Sequence, residues 1–186
     1  MRLADFFYEL PPQLIAQNGV EPRDSSRLLV LHRKDGRIEH LPAFREIINL
    51  IEPGEALVLN DTEVIPAKLR GKKDTGGKIE ALIIREVEPD IYKALLRPGR
   101  RIDVGRRISF YSQEGEELLS EVVGREGKFW KLRFLSGISP FSLGELPLPH
   151  YVKNPLPNPS RYQTVYAKRK GSLAAPTAGL HFTPSL

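Results

Sequence analysis

Between residues 65 and 134 the chain is a succession of short runs, at 65–69, 78–84, 91–96, 107–111, 118–123 and 128–134. Gly76-Gly77, Pro98-Gly99, Gly115 and Gly127 punctuate them, and no helical pattern interrupts them. Short strands bounded by turn residues at this spacing predict a small six-stranded antiparallel β-barrel. Closing the sheet removes edge strands that would otherwise pair with other chains.

The flanking segments have a different texture. Residues 5–24 are rich in Pro and polar groups and predict an extended arm with one short helical turn at 12–17. Residues 26–32 and 37–40 predict two strands joined at the turn signal Asp35-Gly36. Phe44, Ile47, Ile48 and Ile51 have the spacing of one helical face, which predicts a helix over 43–51 ended by Pro53-Gly54. The apolar run 56–59 suits a buried strand, followed by the polar loop Asn60-Asp61-Thr62. After the barrel come Pro-rich connections at 146–149 and 154–159, and there is no internal repeat. Thr183 is a preferred N-cap residue and Pro184 suits the first helical position, so a helix is expected to start there. The expected fold class is α/β plus all-β. Residues 1–62 and 148–186 form a mixed α/β domain incomplete at its C-terminus, with residues 63–147 inserted as the barrel. The chain is expected to be a fragment.

Composition narrows the function classes. Of 186 residues, 40% are hydrophobic and 27% charged, an ordinary globular balance. With no cysteine there is no disulfide, thiolate metal site or cysteine nucleophile, and four scattered histidines argue against zinc. The first residues carry no apolar signal region and no run approaches a membrane span, so a cytoplasmic protein with no membrane partner is expected. The net charge of +5 is localised: residues 68–107 hold twelve Lys/Arg against six acids. A basic segment of this kind fits phosphate-backbone contacts, or alternatively a solvated surface with no partner.

Four stretches are candidates for chemistry. Thr75-Gly76-Gly77-Lys78 lacks the spacing of a phosphate-binding loop and reads first as a hairpin turn. Asn60-Asp61-Thr62 follows an expected strand, where a site loop or an Asx-type turn fits equally. The stretch 171–182 is dominated by small residues, which either let backbone approach a ligand closely or form a tight packing loop. Within it, His181 is a candidate acid or base, or a structural residue beside Phe182. In 161–166, read as a strand, Arg161, Gln163 and Val165 share one face and Tyr162, Thr164 and Tyr166 the other. Such aromatics beside an Arg suit stacking on a nucleobase or cross-strand packing.

Three sets of motifs together resemble the S-adenosylmethionine:tRNA ribosyltransferase-isomerases. They are Phe7-Tyr8-Glu9-Leu10-Pro11-Pro12-Gln13-Leu14 with Arg23-Asp24-Ser25-Ser26-Arg27-Leu28, then Leu57-Val58-Leu59-Asn60-Asp61-Thr62 with Thr75-Gly76-Gly77-Lys78, and Arg161-Tyr162-Gln163-Thr164-Val165-Tyr166 running to Ala174-Ala175-Pro176-Thr177-Ala178-Gly179-Leu180-His181-Phe182. The resemblance covers the whole chain in the family's order. Glu63 stands where the family usually has Arg and His150 where it usually has Pro, and the family's chain is longer. The resemblance implies a queuosine-biosynthesis enzyme. It would transfer and isomerise the ribosyl group of S-adenosylmethionine onto 7-aminomethyl-7-deazaguanine at the tRNA wobble position, giving epoxyqueuosine with release of adenine and methionine. S-adenosylmethionine is then a co-substrate, with no metal, and a monomer is expected. From the loop after Ala174 and the loop at 60–62, the expected catalytic set is His181, Thr177 and Asp61, and the expected co-substrate contacts are Asn60, Thr62, Ala175, Pro176 and Gly179. Arg161, Tyr162, Gln163, Tyr166, Lys78, Arg100 and Arg101 are the implied tRNA contacts. The alternative is a non-catalytic tRNA-binding fragment.

Overall fold

A computed structural model describes residues 1–154 and 156–186. Pro155, inside an expected Pro-rich connection, lies outside the described residues. The chain divides into two units: Met1–Asn60, Leu148–Tyr166 and Pro176–Leu186 form the first, and Asp61–Pro147 with Ala167–Ala175 the second.

In the first unit, β1 (Leu28–Leu31) pairs antiparallel with β2 (Ile38–Leu41), Leu28 opposite Leu41. The expected turn joins them: Gly36 takes φ 74°, and the Arg37 amide donates to Asp35 Oδ1 at 3.0 Å. The helical turn expected at 12–17 is a 3₁₀ turn at Pro12–Leu14. The helix expected over 43–51 is likewise a 3₁₀ helix, Phe44–Leu50. Only Phe44 of its apolar face is buried, while Ile48, Leu50 and Ile51 are exposed, so tertiary packing does not hold an α-helical stripe in place. The expected strand at 56–59 does not form. Val58 is 91% exposed there, and a buried strand needs hydrogen-bonded neighbours that no described element provides. At the C-terminus the Leu186 amide donates to Thr183 Oγ1 at 3.2 Å, the bond an N-cap residue makes.

The second unit contains β3 (Thr62–Val64), β4 (Lys68–Lys73), β5 (Lys78–Glu88), β6 (Ile91–Arg97), β7 (Arg107–Tyr111), β8 (Glu117–Glu126), β9 (Phe129–Phe134) and β10 (Arg169–Ser172). β4 to β9 close into an antiparallel barrel in the order β4-β5-β6-β9-β8-β7, with β7 pairing back onto β4. β10 lies parallel to β3. Among the described residues no α-helix forms, so the mixed α/β part of the expected class is met only by this parallel pair, and it stands in the second unit.

The barrel follows from alternation. Along β5, Ile79, Ala81 and Ile83 point inward between less buried neighbours, and along β8 Leu118, Ser120 and Val122 do the same. They meet Leu69, Ile108, Phe110, Trp130, Leu132 and Phe134 in one apolar core. Buried Ser120 is satisfied by donating to the Ile108 carbonyl at 3.0 Å. Register shifts between Ile83 and Arg85, Glu86 and Glu88, and Val122 and Gly124 bend the strands enough to close. At Gly71 a Cβ would overlap the Ser109 carbonyl, so only glycine lets β4 approach β7 there.

Candidate functional site

In the first unit a pocket of about 250 Å³ is lined by three segments distant in sequence: 16–26, 148–162 and 177–181. Polar clamps hold them together. Gln17 Nε2 donates to the Tyr151 carbonyl at 3.0 Å, and its Oε1 accepts from the Lys153 amide at 2.8 Å. Arg23 donates from Nη1 to the Gln163 carbonyl (2.6 Å) and from Nη2 to the Ser160 carbonyl (3.0 Å).

Arg161 lies in the 3₁₀ turn Pro159–Tyr162, which Asn158 caps by accepting from the Ser160 amide at 3.0 Å. Its Nε pairs with Glu21 at 2.7 Å, and its Nη2 donates to the Val20 carbonyl at 2.8 Å. Its Nη1 is buried and has no hydrogen-bond partner among the described residues. The strand expected at 161–166 does not form, since Arg161 and Tyr162 belong to this turn and 163–166 follow as bend and turn, yet Tyr162 and Thr164 are buried and Val165 is exposed.

Thr177 and His181 begin and end the 3₁₀ turn Thr177–His181, whose N-cap is Pro176. The His181 ring packs on Phe44 with centroids 5.1 Å apart, and Phe182 meets Phe44 edge-on at 5.2 Å. At Gly179 a Cβ would overlap the Tyr166 hydroxyl and come within 3.0 Å of Thr164 Cγ2. Burial holds the Tyr166 phenol above its ordinary range. The pocket wall carries Arg23, Arg161, Tyr162, Thr177 and His181, and no carboxylate lines it among the described residues. Burial first, then the neighbouring Arg161, draw Arg23 below the usual guanidinium range, with Glu21 opposing. Glu21, paired with Arg161, offsets one of the two guanidinium charges, and the net cation left is suited to meeting a small anionic group.

The second unit holds the other candidates. Asp61 accepts from Arg169 Nε at 2.9 Å and Nη2 at 2.6 Å, and its own carbonyl accepts from the Lys168 and Arg169 amides. The hydrogen bonds from Arg169 come first among the causes that hold its carboxyl below the usual carboxylate range. An anion held this way is suited to balancing positive charge more than to taking up a proton. Thr62 stands opposite Arg169 in the parallel pair, and Ala175 is buried. Lys78 opens β5, while Arg100 and Arg101 stand exposed on the β6–β7 loop, where Arg101 has φ 56°. Asn60 is the last residue of the first unit's opening segment.

The fold thus brings Thr177, His181, Arg161 and Tyr162 around one pocket, and sets Gly179 against Tyr166. Sequence reasoning missed Arg23 and Gln17, which tie the pocket together, and Arg169, which engages Asp61. Arg23 lies within a stretch that carried the family resemblance; nothing in the sequence points to Arg169, 108 residues from its partner. Among the described residues no helix is long and apolar enough to cross a membrane.

One unit is a closed antiparallel barrel and the other carries a cation-lined pocket. The chain belongs to the queuosine biosynthesis protein family, whose profile matches residues 3–186. It is 51% identical over 189 residues to the S-adenosylmethionine:tRNA ribosyltransferase-isomerase of Thermotoga maritima and 48% identical over 192 residues to that of Moorella thermoacetica. All of this chain is matched in both, against 55% of each relative, so the chain spans about half the length of these relatives. A crystal structure of S-adenosylmethionine tRNA ribosyltransferase from Thermotoga maritima aligns over 97% of this chain and 51% of its own, with 40% identity and a TM-score of 0.38.

Proposed function

We propose that this chain supplies part of the active site of an S-adenosylmethionine:tRNA ribosyltransferase-isomerase acting on 7-aminomethyl-7-deazaguanine in tRNA. The observation that carries the reading is the pocket of the first unit. Two residues of the expected catalytic set (Thr177, His181) and two expected tRNA contacts (Arg161, Tyr162) line one concavity with no carboxylate among its described walls. At about 250 Å³ it suits one moiety of a substrate, and the unmatched Nη1 of Arg161 is a donor for a carboxylate or phosphate oxygen.

The chemistry follows from the co-substrate. Its sulfonium acidifies the adjacent ribose C–H. A base removes that proton as adenine leaves, and the opened sugar presents an aldehyde to the aminomethyl nitrogen. Carbon–carbon closure and internal displacement of methionine then give the epoxide. His181 is the group in the pocket suited to moving a proton, Thr177 to holding a polar atom beside it, and Pro176 and Gly179 to close backbone approach. Tyr162 and Tyr166, with Arg161 and Gln163, face the modified base, while Lys78, Arg100 and Arg101 meet phosphates. Asp61 contributes charge balance through its pair with Arg169.

The test incubates the 186-residue chain, and the chain extended to its Thermotoga maritima relative's length, with S-adenosylmethionine and tRNA bearing 7-aminomethyl-7-deazaguanine. Adenine release that depends on that tRNA is expected. In the active form His181→Ala should lower kcat by about 10²–10⁴-fold while tRNA affinity holds. Release in neither form overturns the reading, and normal turnover of His181→Ala removes that residue's role. A non-catalytic tRNA-binding role for the 186 residues is favoured by the exposed cations of the barrel, and binding without turnover would identify it.

A further inference from the structure

The barrel is electrically polarised along its axis. Antiparallel order puts the β4–β5, β6–β7 and β8–β9 connections at one end. The β5–β6 and β7–β8 connections stand at the other, with the segment that leaves β9. Residues 72–78, 97–107 and 125–128 at the first end carry ten Lys/Arg and three acids. Residues 86–90, 112–117 and 135–147 at the second, with β3, which leads into β4 at that end, and its partner β10 (61–67 and 167–175), carry nine acids against three bases, Lys168, Arg169 and Lys170. The sequence alone shows a basic segment; the topology adds the β8–β9 turn to it and separates the two signs.

The three acids of the basic end are already engaged. Arg106 takes Asp74 at 2.7 Å and Asp103 at 3.9 Å, and Lys93 takes Glu126 at 3.0 Å. Lys72, Lys78, Arg97, Arg100, Arg101 and Lys128 are exposed and in no ion pair among the described residues. Their platform is built. Lys73 Nζ donates to the Arg100 carbonyl at 2.8 Å, tying the β6–β7 loop to the β4–β5 turn. Ile102 from the same loop is buried in the barrel core, and Arg125 lies over the Trp130 ring at 4.7 Å.

We propose that this barrel is a polarised RNA-docking module: its basic end binds tRNA phosphates, and its acidic end repels the backbone and so fixes the docking sense. The inference rests on the tRNA reading above. A phosphate backbone fits better than an acidic protein or a lipid surface because Val104 is the one strongly exposed large apolar residue on this end among the described residues. Protein interfaces need an apolar core and membrane binding an apolar anchor, whereas nucleic-acid affinity comes chiefly from phosphate contacts.

The experiment measures binding of unmodified tRNA to the 186-residue chain from low to moderate KCl, without S-adenosylmethionine. Removing one phosphate-binding cation should lower the slope of log K against log salt by about 0.7–0.9. Arg97→Glu/Arg100→Glu/Arg101→Glu should therefore reduce it by about 2–3, and Arg125→Gln/Lys128→Gln by less than about 2. Glu114→Gln/Glu116→Gln/Glu117→Gln at the opposite end should leave the slope unchanged. Trp130 fluorescence checks the fold, and Gln in place of Glu serves if charge reversal unfolds the barrel. An unchanged slope in folded basic-end variants overturns the proposal, as does wild-type binding to phosphatidylserine vesicles but not to RNA. Adenine release plays no part in this measurement. Failure of the reaction reading would leave the slopes standing, and failure of docking would leave turnover intact at saturating tRNA.

Discussion

Gly179→Ala tests whether the turn under the pocket is held by close packing. Gly179 is buried, its amide donates to the Pro176 carbonyl at 2.8 Å, and its carbonyl accepts from the Phe182 amide at 3.2 Å. Its φ is not in the left-handed region, so alanine should gain about 0.4–1 kcal/mol from lowered unfolded-state entropy. Against that, the new methyl overlaps the Tyr166 hydroxyl and meets Thr164 Cγ2 at 3.0 Å, an overpacking cost of about 1–3 kcal/mol. So close an overlap puts the cost in the upper part of that range, about 2–3 kcal/mol, and the net expectation is a loss of about 1–2.6 kcal/mol. Tyr166→Phe removes the atom most in the way and leaves the ring carbon Cζ at 3.3 Å, so the double variant should recover about 1 kcal/mol of coupling. Tyrosine circular dichroism through urea unfolding, with hydrogen exchange at Gly179 and Phe182, reads the effect; Trp130 reports the barrel instead. A Gly179→Ala chain as stable as wild type, or a loss that Tyr166→Phe does not relieve, would refute the packing account.

Leu118→Ala empties a fully buried position of the barrel core and should cost about 2–5 kcal/mol, read as an earlier Trp130 fluorescence transition in urea; a loss under about 1 kcal/mol would mean the core collapses around the gap. The pair between Asp61 and Arg169 sets a pH dependence with a definite sign. The Asp61 pKa is depressed in the folded chain, so the pair's contribution is present above the ordinary carboxylate range near about 4 and fades as pH falls through the lower folded value. In Asp61→Asn that acid-side loss should shrink, and an unchanged acid titration would show the pair is not coupled to folding.

The barrel was largely legible because its strands carry alternation that packing then uses. The run 107–111 matches β7, and 78–84 falls within β5. β4 begins at Lys68 and extends to Lys73, later than the apolar run 65–69, because Lys72 faces outward and adds no apolar signal. The first unit was less legible. The stripe Phe44, Ile47, Ile48 and Ile51 specifies a helical face only if something covers it, and only Phe44 is buried, with Ile47 half-buried and Ile48 and Ile51 exposed. Leu57, Val58 and Leu59 likewise stay exposed. Of the site, the stretch 171–182 stood out by its small residues. The clamps that shape the pocket did not, since Arg23 and Gln17 act on partners more than 130 residues away.

The two units are held by different physics, and that bears on function. The barrel's cluster of buried apolar side chains lies entirely in the second unit, so its charged ends can vary without loss of the core. The first unit buries little beyond Phe44, Tyr162 and Thr164, and its pocket depends on guanidinium and amide donors fixed on backbone carbonyls. A lysine could not replace Arg23, because a single ammonium on a flexible stem lacks the planar fork that reaches the Gln163 and Ser160 carbonyls together. An anion entering the pocket would satisfy the remaining Arg161 N–H and offset the repulsion between the two guanidiniums, so ligand binding and local stability should rise together. That coupling gives the pocket a reason to be less rigid than the barrel before an anion binds.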